Sequence, residues 1–318
     1  MLSLTRKGRV TEFELIETYF RRGAHGPSVV LGNGDDAAVF RTDPGFETVI
    51  SVDALIAGQH VPSICSPQGF AARLLGRGLS DLAAMAAEPQ YVLLSLSLPV
   101  LQTNWIEQFA EKFHQLAVQW GLDLIGGDTA KGPLAAQVTV IGRVQSGRAI
   151  SRVGAQPGDQ LWLFGSDLGG ARAYLEVLNG SCDGNLVWAE RYWRPQPLVS
   201  QGLALSGRAN ALIDISDGLC QDLLHILRQS DGPLSVDLDS GVVPLAPGLI
   251  ESFGETRAME MALTGGDDYC LLAAVPEGTD VPPDGVCLGH LHLADTSRIT
   301  IDGLPLPPEW SLGWDHSR

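Results

Sequence analysis

The chain has 318 residues, 45% hydrophobic and 18% charged, with 21 Lys plus Arg against 37 Asp plus Glu and a formal net charge of −16. This composition excludes a disordered chain, and the length suits about two domains with cores large enough to stand alone. The acidity argues against nucleic acid and anionic membranes as partners, because phosphate-rich surfaces recruit Lys and Arg.

In chain order, Thr11 with Glu14 forms a capping box, and Phe13, Leu15, Ile16, Tyr19 and Phe20 follow at helical spacing, which predicts a helix over Thr11 to Arg22. A strand is expected at Glu47 to Val52. Ser66-Pro67 then reads as an N-cap followed by a proline in the first helical position, opening a helix that carries Asp81 among Leu79, Leu82 and Met85 and ends before Pro89. Strands at Tyr91 to Leu98, Leu122 to Ile125 and Gln137 to Val144 flank a helix over Thr103 to Trp120.

The turn-forming run from Ser146 to Asp159 separates two regions of similar length, so the boundary is placed near Gly147, giving domains 1–147 and 148–318. The second half repeats the alternation. Strands are expected at Gln160 to Phe164, Ala211 to Ile215, Ser235 to Leu238, Tyr269 to Ala274 and Val286 to His290. Helices are expected at Ala171 to Leu178, Leu186 to Tyr192, Pro197 to Ser206, Leu219 to Gln229 and Thr256 to Ala262. The fold class is a two-domain α/β chain.

The five cysteines are odd in number, widely spaced and free of any Cys-x-x-Cys pair, which reads as reduced thiols in a cytoplasmic protein. The N-terminus lacks the apolar core of a signal peptide, and no stretch is long enough to span a bilayer.

Acidic residues gather in glycine-flanked groups at expected strand ends: Gly34-Asp35-Asp36, Val52-Asp53, Gly126-Gly127-Asp128-Thr129, Asp214-Ile215-Ser216-Asp217-Gly218 and Gly265-Gly266-Asp267-Asp268. Any one of these alone reads as ordinary turn chemistry. Together they point to a hard cation, because converging carboxylates repel unless a cation sits between them and glycines let the backbone approach a ligand. Lysine occurs only at Lys7, Lys112 and Lys131, so a set of bound Mg²⁺ ions is the better neutraliser of an anionic ligand than a lysine cluster. Asp81 is either a solvent-facing helical carboxylate or one that faces a cleft.

Other chemistries lack a foothold. The Asp214 loop has Leu219 and His225 where an EF-hand needs Gly and Glu. Gly165-Ser-Asp167-Leu-Gly169-Gly170 has Asp where a dinucleotide fingerprint needs its second glycine, although its amides could still face an anion. No lysine follows a glycine as a Walker loop requires, and the protein-kinase, zinc-hydrolase and serine-hydrolase signatures are absent.

The ordered set Gly-Asn-Gly-Asp35-Asp36-Ala-Ala, Leu79-Ser80-Asp81-Leu-Ala-Ala-Met, Gly-Gly127-Asp128-Thr129, Asp214-Ile-Ser216-Asp217-Gly218-Leu219 and Gly265-Gly-Asp267-Asp268-Tyr269 resembles the thiamine-monophosphate kinase family. That family belongs to the superfamily of aminoimidazole ribonucleotide synthetase and selenophosphate synthetase. The resemblance runs from about Gly32 to Trp314. It implies an N-terminal domain forming a dimeric β-barrel flanked by helices, a C-terminal α/β sandwich, a homodimer, and transfer of the ATP γ-phosphoryl to thiamine monophosphate with several Mg²⁺ ions. A phosphate acceptor is already ionised near neutral pH, so such a reaction needs alignment and charge neutralisation rather than a strong base.

The resemblance assigns Asp35, Ser51, Asp53, Asp81, Asp128, Asp214 and Asp217 to Mg²⁺, and Gly127, Asp128, Arg152 and Ser216 to ATP. It makes Arg152 and Asp214 the catalytic pair. Arg152 suits a phosphate because a guanidinium grips two oxygens at once; from sequence alone it also reads as a surface ion pair. Trp120 aligns with an aromatic residue near adenine and equally reads as a core aromatic. His60, Asp267 and Trp314 fall where the family binds thiamine monophosphate; otherwise His60 reads as a surface histidine and Trp314 as a packed C-terminal anchor.

Four departures stand out: Asp267 for Glu, Val52 for Ser or Thr, Gly78 for Asn and Ala86 for Gly. The alternatives are another ATP-dependent phosphotransferase of the superfamily and a non-catalytic Mg²⁺ or nucleotide-binding regulator. The selenophosphate enzyme has a Cys or selenocysteine near its start, whereas the first cysteine here is Cys65.

Overall fold

The computed structural model describes residues 12–21, 25–33, 37–100 and 103–313. Asp35 and Trp314, and the Thr11 end of the expected capping box, lie outside the described residues. The chain groups into two compact units, one made of Met1–Pro44, Ile50–Gly78 and Pro89–Gly142, the other of Gly45–Val49, Leu79–Glu88 and Arg143–Arg318.

The chain begins with α1 (Glu12–Leu15), which continues as a π-helical turn over Ile16–Phe20. One uniform helix was the expectation; instead the Arg21 N–H reaches back five residues to the Ile16 carbonyl at 3.0 Å, the widened turn that an inserted residue produces. A short antiparallel pair follows, β1 (Val29–Leu31) and β2 (Val39–Phe40). Then come β3 (Phe46–Ile56), α2 (Pro67–Ala84), β4 (Glu88–Leu98), α3 (Thr103–Gln119), β5 (Asp123–Lys131) and β6 (Ala135–Gln145).

These strands form a four-stranded sheet in the order β3-β6-β4-β5, open at β3 and β5, with β4 and β5 parallel. Helix α2 starts as its sequence dictates. Ser66 Oγ accepts the Gly69 N–H at 3.1 Å, and Pro67 occupies the first position, where its missing N–H costs nothing. Gly78 lets α2 lie close to β6: a side chain there would begin 3.0 Å from Val138 Cγ2 and 3.3 Å from Val140 Cγ1. Any side chain there would need these valine methyls to give by a few tenths of an ångström. Helix α3 buries Ile106, Phe109, Phe113 and Leu116 at helical spacing, and Trp105 stacks on Phe109 with centroids 5.3 Å apart.

The second unit contains β7 (Gln160–Phe164), α4 (Gly170–Leu178), α5 (Leu186–Trp193), α6 (Val199–Leu205), β8 (Ala211–Asp214), α7 (Leu219–Arg228), β9 (Leu234–Leu238), α8 (Leu249–Phe253), α9 (Glu255–Thr264), β10 (Leu271–Val275), β11 (Val286–Leu293), β12 (Arg298–Ile301) and β13 (Leu304–Pro305). Its seven strands run in the order β13-β12-β9-β11-β7-β10-β8. The pairings are antiparallel except for β9 with β12.

Every residue of β10 is buried, and its side chains alternate between two cores. Leu272 and Ala274 join Leu219, Leu223, Ile226 and Leu227 of α7, while Leu271, Ala273 and Val275 join Leu205 of α6 and Ala83 and Ala84 at the end of α2. Helices thus cover both faces of this sheet, which makes the unit a layered α/β structure.

Candidate active site

Within the first unit, Gly126, Gly127 and Asp128 line a cleft of about 1210 Å³ whose floor is apolar at Phe20, Phe40 and Ile125 and polar at Ser95, Gln137 and Thr139. Gly127 is there for steric reasons: with φ 154° its missing side chain would fall on the Leu94 carbonyl of β4. The neighbouring register shift at Val92 and Leu93 marks the same irregularity, which turns Asp128 outward, where it is exposed. Trp120 is half-buried just past α3 and does not line this cleft.

Asp53 lies on β3 in the same unit, where Arg77 of α2 grips it with Nε at 2.9 Å and Nη2 at 3.0 Å. Ser51 is half-buried two residues earlier, and Val52 between them is exposed. The His60 Nδ1 accepts the Ile56 N–H at 3.1 Å, which fixes the ring against the end of β3.

Within the second unit, two glycine-rich turns meet. Asp214 ends β8, and residues 215–218 lead into α7. The turn over Gly265–Tyr269 is hydrogen-bonded to it, with the Asp267 N–H donating to the Ser216 carbonyl and the Tyr269 N–H to the Ile215 carbonyl, both at 2.8 Å. Gly218 has φ 130°, and a side chain there would sit 2.9 Å from the Thr264 carbonyl oxygen. Asp267 and Tyr269 adopt φ 70° and 52°, left-handed values that non-glycine residues hold only when surrounding contacts require them. The Tyr269 hydroxyl also donates to Asp267 Oδ1 at 2.9 Å.

Ser80 and Asp81, at the end of α2, belong to this unit. The Ser80 hydroxyl, fully buried, donates to Asp214 Oδ2 at 2.7 Å, and Asp81 is half-buried beside it. Gln221 donates to Asp217 Oδ2 at 3.3 Å, and Gly313 packs against Asp217 and Gln221. The structure thus brings Asp214, Ser216, Asp217 and Asp267 onto one platform. Arg152 is exposed in a bend between β6 and β7.

Three residues of this platform carried no role in the sequence reading. Ser80 orients Asp214, as described above. Asp222, 3% exposed, accepts the N–H groups of Ser216, Asp217 and Gly218 on a single carboxylate oxygen at 3.0, 3.0 and 3.2 Å. Asp268 accepts the Gly169 N–H on both oxygens at 3.0 and 3.1 Å, so that amide of the Gly165–Gly170 loop is committed internally and does not face an anion. Asp167 of the same loop is held bidentately by Arg191. The signal available for Asp222 was an acidic residue inside the apolar run Leu219-Cys-Gln-Asp-Leu-Leu, a position that demands a partner.

Burial pushes the Asp222 carboxyl up to about 7, reinforced by the charges of Asp214 and Asp217 and opposed by its amide donors. Asp214 and Asp217 are oxygen donors of the kind that suits Mg²⁺, while Asp222 stands behind them with its Oδ2 taken by three amides. Among the described residues no group of three acidic, His or Cys side chains is placed to hold a metal ion.

Residues 34–144 match the family described as "AIR synthase related protein, N-terminal domain". Thiamine-monophosphate kinase of Escherichia coli K12 is 37% identical over 323 residues, covering 96% of this chain and 98% of that protein. The crystal structure of thiamine-monophosphate kinase from Stenotrophomonas maltophilia K279a superposes with a TM-score of 0.80 at 34% identity, over 88% of this chain and 93% of that one. A structure described as "AaThiL complexed with AMPPCP and TMP" superposes with a TM-score of 0.77 at 27% identity, over 87% and 89% of the two chains. Identity above 30% sustained over nearly the whole length places the sequence: the chain belongs to the thiamine-monophosphate kinase family.

Proposed function

We propose that this protein transfers the γ-phosphoryl of ATP in line to the phosphate of thiamine monophosphate, giving thiamine diphosphate and ADP. The observation that carries the reading is the platform on which the Asp214–Gly218 and Gly265–Tyr269 turns are hydrogen-bonded together, in a chain 37% identical to a thiamine-monophosphate kinase over almost its full length. Two anions have to be brought together, and the residues answer that need by holding charge rather than by moving protons.

Asp35, Ser51, Asp53, Asp81, Asp128, Asp214 and Asp217 would hold Mg²⁺. When bound, the cation neutralises phosphate charge and polarises the transferring group. Ser80 fixes the Asp214 carboxylate by hydrogen bond. Gly127 and Ser216 offer backbone and hydroxyl contacts to the nucleotide, Arg152 its guanidinium to a phosphate, and Trp120 an aromatic face. His60, Asp267 and Trp314 bind thiamine monophosphate, with the carboxylate of Asp267 set against the positive ring of the substrate.

The N-terminal domain, 1–147, is assigned ATP and Mg²⁺ binding and dimerisation. Support for the homodimer comes from edge strand β3, which exposes Ile50 (60%), Val52 (54%) and Ile56 (38%) on one side of an open sheet. Pairing of two such sheets would close a barrel. A cytoplasmic location accords with five unpaired cysteines, and among the described residues no helix is long and apolar enough to cross a membrane.

The test incubates the purified protein with ATP, Mg²⁺ and thiamine monophosphate and separates the thiamine species by chromatography. Thiamine diphosphate formed by wild type and abolished in Asp214→Asn is the expected result. Mg²⁺-nucleotide binding without any product would retain the superfamily and discard the acceptor.

A further inference from the structure

We propose that Asp222 is a positioning residue of the nucleotide site, gathering three successive amides so that the turn from Ser216 to Gly218 presents the Ser216 and Asp217 side chains, and not its amides, outward. The proposal rests on the kinase reading above and extends it to a residue buried behind the turn. Three consecutive N–H groups cannot point at one atom unless the backbone curls around it, and here the Ser216, Asp217 and Gly218 amides all end on Asp222 Oδ2, at 3.0, 3.0 and 3.2 Å.

The same turn is held from its other side, because the Ser216 carbonyl accepts the Asp267 N–H and the Ile215 carbonyl accepts the Tyr269 N–H. Gly218 completes the curl in a conformation closed to other residues, with the Thr264 carbonyl oxygen 2.9 Å from where a side chain would start. Asp222 itself is immobilised by its place in α7, between Cys220 and Leu223, both fully buried in the core. The result is a turn with its amides spent inward and Asp217 held at its apex. An acidic turn with inward amides suits a cation, whereas outward amides would suit a bare anion. Asp222 thereby sets which charge the turn accepts without touching the ligand.

The predicted consequence separates Asn from Ala. Asparagine keeps an oxygen acceptor of the same length, while alanine leaves three amides free to turn outward. The experiment measures, on full-length Asp222→Asn and Asp222→Ala, amide hydrogen exchange at residues 216–218, calorimetric binding of a non-hydrolysable ATP analogue with and without Mg²⁺, and the thermal midpoint. In Asp222→Asn the amides stay protected and Mg²⁺-dependent affinity stays within about threefold of wild type.

In Asp222→Ala protection of the three amides is lost and Mg²⁺-dependent affinity falls at least about tenfold, while the weaker metal-free binding changes little. Equal losses in both variants would overturn the proposal by showing that charge, not amide gathering, is what matters. Should Asp222→Ala fail to fold, Asp222→Asn decides alone: amides that exchange freely with affinity unchanged overturn the proposal, and amides that stay protected with affinity retained sustain it. Wild type that binds Mg²⁺-nucleotide but makes no thiamine diphosphate would defeat the acceptor assignment and leave this test intact.

Discussion

Arg77 and Asp53 form a two-pronged ion pair, Nε to Oδ2 at 2.9 Å and Nη2 to Oδ1 at 3.0 Å, with side-chain exposures of 15% and 20%. The carboxylate that family resemblance gives to Mg²⁺ is thus already neutralised by a guanidinium in the same unit. A cation that takes Asp53 has to compete with a bidentate partner, so Arg77→Gln should bind Mg²⁺ several-fold more tightly in the presence of a non-hydrolysable ATP analogue. The same substitution should lower stability by about 1–3 kcal/mol, since a largely buried charge loses its hydrogen-bonded partner. Calorimetric Mg²⁺ titration and denaturant melts read the two effects separately. Weaker Mg²⁺ binding would mean that Arg77 assists the ligand rather than competing with it.

Gly127 and Asp128 are neighbours whose substitutions should fail in different ways. Any side chain at Gly127 falls on the Leu94 carbonyl, in a backbone conformation with φ 154°. Gly127→Ala should therefore cost about 2–4 kcal/mol and displace the strand edge that lines the cleft. Asp128 is exposed, and Asp128→Asn should leave stability within about 0.5 kcal/mol of wild type while weakening Mg²⁺-nucleotide binding. Denaturant melts alongside nucleotide titrations check the contrast, and an Asp128→Asn protein that binds normally would remove Asp128 from the ligand set.

Much of this architecture was legible because it depends on local chemistry. Ser66-Pro67 opens α2 where the capping rule places it, and the strand expected at Gln160 to Phe164 is β7. What escaped depends on tertiary contacts. Asp267 and Tyr269 are left-handed because their amides are drawn to Ser216 and Ile215, more than fifty residues earlier, and nothing local announces that. Strands β12 and β13 hold only four and two residues, too short for a periodic pattern. Among the candidate site residues, the Asp214 and Asp267 turns were visible as motifs. Ser80 and Asp268 stood inside quoted motifs and Asp222 inside an apolar run, but their partners were not legible, since a hydroxyl or carboxylate in an apolar helix or turn declares a need for a partner without naming it.

Ala86 provides a test of one departure from the family pattern. It ends α2 in a Schellman arrangement, with the Ala87 N–H on the Leu82 carbonyl at 2.9 Å and the Ala86 N–H on the Ala83 carbonyl at 3.1 Å. Its φ is 54°, the position glycine normally fills, yet its methyl is 1% exposed in a core cluster. Relief of left-handed strain is worth about 1–2 kcal/mol. Against it stand about 0.8 kcal/mol for the buried methyl and about 0.5–1 kcal/mol for the added freedom of the unfolded chain. Ala86→Gly should therefore change stability by less than about 1 kcal/mol, while Ala86→Val, branched and overpacked at the same φ, should cost more than about 2 kcal/mol. Urea denaturation of the two variants decides whether the motif tolerates alanine for the reason given.

Asp268 carries a pH dependence whose sign follows from its surroundings. Burial raises its carboxyl well above the usual carboxylate range, and the nearby charges of Asp167 and Asp267 reinforce this, while the Gly169 amide and Arg191 oppose it. A carboxyl raised in the folded state holds its proton after the unfolded chain has released it. Its contribution to stability is therefore greatest in acid and declines as pH rises from the ordinary carboxylate range toward the folded value. Asp268→Asn removes the titration while keeping an oxygen to accept from Gly169. The difference in unfolding free energy, mutant minus wild type, should accordingly move in the mutant's favour as pH rises from about 4.5 to 7.5, with a ceiling of about 1.4 kcal/mol per pH unit for one proton. Urea melts of both proteins across that range measure the difference directly, cancelling the other carboxylates. A difference that stays flat would show Arg191 and the Gly169 amide outweighing burial, with Asp268 ionised throughout and acting as a charged anchor of the Gly165–Gly170 loop.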